Sequence, residues 1–543
     1  MKSAKGKLRG FNNEGKGNFF VLLIIVVVAV IGLIFMLGGG FSKTVHSLFD
    51  SPENYFAYVE KKAFLGKKEN PLRSAVHNVS SVASSSDRAF KEQITLTIGE
   101  RGENYLSLLR AVGVDVTWLK SAGLEFVVNS KNKDLDLQTE LTLNGKKIVS
   151  SDLILDSKNK DLYLKLPELS KKVARYDLDE YGERLEEALQ QVEDLQKSYP
   201  EKQEIDQLVS KYVKVVLEGI DEVERERGVT LECDGITQKC TLLKATLDQD
   251  DLKRILSNLC KEAKNDGDIK DLFESYCLAM KMDSEDFDKY YEKLINSMEN
   301  VDDLLDGVDY GFGKFTIELY VNGQGKVVGR VYSLYPTSGE KVSLKIATAT
   351  KGRSVGFELS LRGGEENMEF SGTGKVRGGR LTGEYKLSVD GDKVMDISVS
   401  KFDLNSLNKG YLKGHFTCHF AGDAGNLDLD EVLPRKTASL IQKYAGSFNS
   451  LDPGIDLDLD FSAKKHTVEI GLLLGQEDLL RLKAEGTMKS ATKVKIPSKS
   501  VDVTDTIDGK DYLENLNWEK LLKALEDANV PDSYTNLIRK FMK

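Results

Sequence analysis

Histidine, proline and cysteine are scarce in this chain of 543 residues, and each scarcity removes a class of function. Five histidines leave little material for general acid–base work, and no Gly-x-Ser-x-Gly elbow or His-Glu-x-x-His helix occurs. The chain therefore reads as non-enzymatic and without a cofactor, an unrecognised hydrolase being the last alternative. Nine prolines argue against long Pro-rich stalks. Five cysteines, Cys233, Cys240, Cys260, Cys277 and Cys418, are too few for a disulfide-stapled scaffold. Cys233 and Cys240 flank a turn that starts at Asp234-Gly235 and could face each other as a disulfide. Their Cα separation decides the matter, since a gap above about 7 Å excludes the bond. The other three fit small buried hydrophobes.

Long apolar runs are also missing, with one exception. Residues 19–37 hold no charged or strongly polar side chain, and as a helix they reach about 28 Å, close to the hydrocarbon core of a bilayer. A cleaved signal peptide would have a shorter apolar core and a small-residue cleavage pattern, neither of which fits Gly38-Gly39-Gly40-Phe41. A lipoprotein signal would place a cysteine directly after the run, and the first cysteine is Cys233. An uncleaved single-pass signal anchor is expected. Lys2, Lys5, Lys7, Arg9 and Lys16 outweigh Glu14 before it, which holds the N-terminus on the cytoplasmic side. That leaves a charge of −14 on the remainder, out of a total of −10. An acidic body outside the cell membrane, and no nucleic-acid partner, follow.

Past the anchor the pattern is that of an α+β protein. Residues 1–18 form a basic cytoplasmic tail, 19–37 the transmembrane helix, and 38–88 a juxtamembrane segment in which Ser51-Pro52 reads as a helix start. Residues 89–310 are expected as a first α+β module and 311–543 as a second, β-rich one with C-terminal helices. Strict alternation marks strands at Ile94–Ile98, Leu135–Leu143, Lys146–Asp156 and Asp161–Leu166, with Asn144-Gly145 as a hairpin turn. Helical spacing follows over 181–195, 208–217 and 250–260, with two more helices at 268–282 and 284–304. Beyond Gly313 strands dominate, including a hairpin predicted around Asn322-Gly323 and strands at Ile455–Phe461 and Thr467–Leu474. Short helices are expected at 437–444, 515–527 and 532–542. The whole reads as antiparallel meander sheets covered by amphipathic helices.

Three local patterns imitate functional motifs. His415-Phe-Thr-Cys-His419 offers metal-ligand types, but on a strand Cys418 points away from both histidines. Asp456, Asp458 and Asp460 alternate with aliphatic residues, which a half-buried strand needs as much as a calcium site does. Gly372-Thr-Gly-Lys-Val-Arg-Gly-Gly379 has the wrong spacing for a phosphate loop and reads as a hairpin. None of them is taken as a catalytic, metal or cofactor site.

The stretch Asp152-Leu-Ile-Leu-Asp-Ser-Lys-Asn-Lys-Asp-Leu-Tyr-Leu-Lys-Leu-Pro-Glu-Leu-Ser170, with Cys240–Lys270, Phe315–Arg330 and the tail Phe11–Phe20, resembles an uncharacterised family. Its members are single-pass membrane-anchored proteins of Gram-positive (clostridial) bacteria. The likeness spans most of the chain and implies no active site. More distantly, a meander crossed by helices resembles the half-barrel of LolA-like lipoprotein carriers, whose concave sheet holds acyl chains. What this implies is a membrane-anchored envelope protein whose partners are the bilayer, through 19–37, and a lipid or other apolar ligand. The alternative is a structural module that engages another envelope protein.

Overall fold

The computed structural model describes residues 51–65, 87–110, 115–179, 202–279, 284–299, 312–337, 340–363, 367–421 and 453–541, with a few isolated positions between them. The span read as a membrane anchor, 19–37, and the helices expected over 437–444 and most of 181–195 lie outside the described residues. No described helix is long and apolar enough to cross a membrane. What is described is an α+β protein rich in antiparallel sheet.

The chain divides into two units, one built from 1–83 with 197–433, the other from 84–196 with 434–543. Strands β1 (Arg88–Ile98), β2 (Ser121–Lys131), β3 (Asp134–Leu143), β4 (Lys146–Asp156), β5 (Asp161–Lys165) and β6 (Ala174–Asp177) open the second unit. The first unit then contributes β7 (Val223–Cys233), β8 (Ile236–Leu247), β9 (Phe312–Asn322), β10 (Val327–Pro336) and β11 (Val342–Lys351). It continues with β12 (Ser354–Arg362), β13 (Met368–Arg377), β14 (Arg380–Val389), β15 (Asp392–Asp403) and β16 (Lys413–Phe420). Finally β17 (Pro453–Phe461), β18 (Lys465–Leu474), β19 (Glu477–Lys489) and the short β20 (Val501–Asp502) return to the second unit; helix α2 (Glu100–Arg110) follows β1 and the short helix α7 (Leu404–Leu407) follows β15.

This division departs from the boundary expected at 310/311, and strand pairing explains why. Cys240–Leu247 pairs antiparallel with Phe315–Asn322, so β8 and β9 are neighbours in one sheet although 64 residues lie between them. Helices α4 (Gln249–Lys264), α5 (Gly267–Ala279) and α6 (Ser284–Glu299) are an excursion within that sheet, not a domain edge.

In the first unit β7 to β16 form an antiparallel meander in chain order. One face of it is apolar and largely buried. Leu243, Leu319, Phe357 and Leu381 on that face are fully buried. Helix α1 (Pro52–Leu65), which Ser51 caps through Asn54 N–H, supplies Tyr55, Phe56 and Val59 to the core near β8 and β9. Helices α3 (Lys202–Glu218) and α4 join it through Val216, Leu217 and Ile255. Helix α1 also carries Glu60 onto Arg330 of β10, where Nε and Nη2 donate to the two carboxylate oxygens at 3.2 and 3.1 Å. Both side chains are buried; that environment alone would depress the guanidinium pKa, but Glu60 outweighs it and the value is raised.

The Cys233–Cys240 bond considered from the sequence is not formed, and both thiols are free. Asp234 and Gly235 (φ 45° and 77°) make a two-residue turn, so Cys233 pairs with Ile236 while Cys240 stands opposite Val229. Four residues of offset amount to about 13 Å along the strand. Burial instead pushes the two thiols up, to about 12 for Cys233 and about 11 for Cys240.

The second unit has another order: β17-β18-β19-β1-β2-β3-β4-β5-β6, antiparallel throughout, then β20 parallel to β6. Strand β1 is thus central, pairing on one side with β2 and on the other with β19 from nearly four hundred residues later. Helices α8 (Thr506–Glu514), α9 (Trp518–Asp527) and α10 (Asp532–Phe541) pack at the β4–β6 corner. There Leu516 and Tyr512 meet Ala174, while Leu525 and Val530 meet Ile148.

Candidate functional site

The sheet of the second unit sorts its side chains by chemistry. Alternation puts every second residue of a strand on one face, and the register carries that face from strand to strand, with shifts at Leu472/Leu473 and Leu141/Thr142. One face collects the charges. Lys91 pairs with Glu125 at 2.7 Å, and Lys165 with Asp152 at 3.5 Å. Arg481 of β19 holds Asp478, Glu469 and Asp456 at 2.7, 2.8 and 3.2 Å. Those three carboxylates, Asp478 first, raise the guanidinium pKa above its already high ordinary value. Of the alternating aspartates, Asp456 therefore has a structural ion-pair role, while Asp458 and Asp460 are exposed beside it on the same face.

The opposite face is almost wholly apolar. One cross-strand row runs Leu459, Val468, Ala484, Ile94, Leu124, Leu141 and Val149. Another runs Met488, Phe90, Val128, Leu137, Leu153 and Leu164. A third runs Leu457, Ile470, Leu482, Leu96, Ala122 and Leu143. Leu124, Leu141, Leu472, Leu482 and Met488 keep 37–43% of their surface exposed, and all five lie on this face. On the apolar face of the first unit Leu243, Leu319 and Leu381 are fully buried, whereas Leu361, on the same face near the end of β12, is 39% exposed. Leu143, Val149 and Leu164 are covered by α9 through Leu521; the remainder of the face is open, and soluble proteins rarely leave a contiguous apolar patch open without using it.

Between the first two rows lies a single row of different character: Phe461, His466, Gly486, Glu92, Phe126, Thr139 and Ser151. His466 Nε2 lies 3.0 Å from one Glu92 oxygen and 3.1 Å from the other, spanning the β19 strand at Gly486. A Cβ at Gly486 would overlap both the imidazole and the carboxylate, so only glycine leaves room for the bridge. The His466 ring stacks on Phe461, with centroids 5.8 Å apart and planes at 17°. Thr139 Oγ1 and Ser151 Oγ share a 2.7 Å hydrogen bond further along the row.

The imitated motifs fall elsewhere. On β16, Phe416 and Cys418 are buried on the apolar face of the first unit, whereas His415 and His419 lie on the other, His415 Nε2 within 3.2 Å of Thr417 Oγ1. Gly372 and Gly374 sit where a side chain would collide with Tyr385 and its strand, and Gly378-Gly379 (φ 57° and 76°) turns the β13–β14 hairpin. These glycines serve sheet packing and a turn.

Sequence reasoning passed over the Glu92–His466 pair, because 374 residues separate the partners. The available local signal was the exception to alternation: a glutamate on the aliphatic side of β1, a histidine on the aliphatic side of β18. Comparison with protein-family models and with curated proteins finds no match to this chain.

Proposed function

We propose that the open apolar face of the second unit binds acyl chains or a similarly apolar ligand, without catalysis, in an envelope protein tethered by residues 19–37. The observation that carries this is the clustering of exposed large hydrophobics. Five from the second-unit strands fall on one face, in continuous register, while the reverse face is laced with ion pairs. Covering such a face with hydrocarbon contributes about 25 cal/mol per Å² removed from water. An antiparallel sheet with helices packed at one corner supports the reading, and so does the basic tail, which favours an outward-facing body.

The test is native mass spectrometry of the full chain extracted in mild detergent. Retention of a lipid-sized adduct that leaves on collisional activation supports the reading. An adduct-free protein that also takes up no acyl chain on incubation removes it.

A second reading, contact with another envelope protein, rests on α6. Tyr290 and Leu294, four residues apart and so on one side of that helix, are 63% and 42% exposed. Cross-linking in membranes favours it if one stoichiometric protein partner is captured through α6 and no lipid co-purifies.

A further inference from the structure

We infer that the Glu92–His466 bridge is a headgroup site, selecting amphiphiles whose polar end donates hydrogen bonds and carries no negative charge. The inference rests on the apolar-face reading and adds the class of ligand to it.

The argument begins with placement. A carboxylate on an aliphatic face pays a desolvation cost that must be recovered by hydrogen bonds. Glu92 is 15% exposed and lies between Ile94 and Phe90 on its own strand. An ionised carboxylate is an acceptor with about four lone-pair sites. The imidazole Nε2, positioned between the two oxygens, uses only part of that capacity. What remains is acceptor capacity on a face otherwise offering hydrocarbon. A hydroxyl or an ammonium group matches it. A phosphate or carboxylate head would bring like charge against Glu92, in a row that holds no Lys or Arg and whose one basic side chain, His466, is already engaged by Glu92.

Geometry supplies the rest. Gly486 opens the floor between the two side chains, so that the pair meets above a strand with no side chain of its own. Phe461 backs the imidazole, and Phe126 flanks Glu92 on β2 with Phe90 edge-on to it at 6.1 Å. Aromatic faces near a carboxylate also favour a cationic head over an anionic one. The apolar rows on either side of the polar row then accept the chain, whichever way it runs.

The test uses three ligands with one chain and different heads: oleyl alcohol, oleylamine and oleate. Each is incubated with the detergent-free full chain in amphipol, and the ligand co-eluting on size exclusion is extracted and quantified. The alcohol and amine should be retained at least about tenfold more tightly than oleate. Glu92→Gln, isosteric and uncharged, should cut that preference to about twofold by admitting oleate. Gly486→Ala, which displaces both partners, should do the same. Equal retention of all three heads by the parent chain, or a preference untouched by Glu92→Gln, overturns the headgroup site and leaves the apolar-face reading standing. Retention of none of the three overturns both.

Discussion

The two leucines at the centre of the open face give the most quantitative prediction. Leu124 and Leu482 are 43% and 38% exposed. Full burial of a leucine side chain is worth about 1.5–3 kcal/mol, so covering the remaining two-fifths of each yields about 0.6–1.2 kcal/mol to a bound ligand. Leu124→Gln or Leu482→Gln should forfeit that amount. The two sites are two strands apart, about 10 Å, which allows their effects to add. The double variant should therefore lose about 1.2–2.4 kcal/mol, a seven- to fiftyfold rise in Kd. Fluorescence titration of the full chain with a pyrene-labelled fatty alcohol measures this. Leu361→Gln is the control: at 39% exposure it carries the same surface cost, but it sits in the first unit. A double variant that binds within twofold of the parent would refute the reasoning. So would a Leu361→Gln variant weakened as much as the double.

Three further outcomes follow from the packing. Glu60→Ala should destabilise the first unit by about 3–5 kcal/mol in chemical denaturation, because it removes the buried carboxylate that faces the Arg330 guanidinium, whereas replacing both with Leu and Met should restore most of the loss; equal stability of parent and Glu60→Ala would refute this. Asp266 is buried, which by itself raises its pKa, yet hydrogen bonds from Lys211 (3.1 Å) and Tyr212 (3.0 Å) outweigh that and lower it. Its contribution is thus present above the unfolded value near 4 and lost as pH falls through the folded one, so Tm should drop less between pH 5 and 3 in Asp266→Asn than in the parent. Parallel Tm curves would count against it. Cys233 and Cys240, buried and raised, should resist maleimide at pH 7 until the chain is unfolded, and a peptide map should show no bond between them.

Much of the local structure is legible in the residues. Asn144-Gly145 takes the two left-handed conformations (φ 50° and 73°) that its hairpin requires, and Ser51-Pro52 starts a helix. Asn322-Gly323 turns differently from the expected two-residue hairpin. There the Asn322 side chain accepts from Gln324 and Lys326 N–H, Gly325 takes the positive φ, and a longer loop replaces the two-residue turn. Strand β19 is hard to read because Asp478-Leu-Leu-Arg-Leu-Lys-Ala-Glu485 is composed of good helix formers. Only pairing with β1 and β18 makes it a strand. The same pairing hides the unit boundary and the polar row, since both depend on contacts between residues near 90 and residues near 480. Periodicity reports which face a residue takes; it does not report which distant strand shares that face.

The central claim is that hydrocarbon lies on one face of one sheet, and photolabelling addresses it most directly. A diazirine-bearing fatty alcohol, bound to the full chain and activated, should leave its adducts on the face carrying Leu124, Leu141, Leu482 and Met488. Adducts confined to residues 19–37, or scattered evenly over both faces of the sheet, would contradict the account.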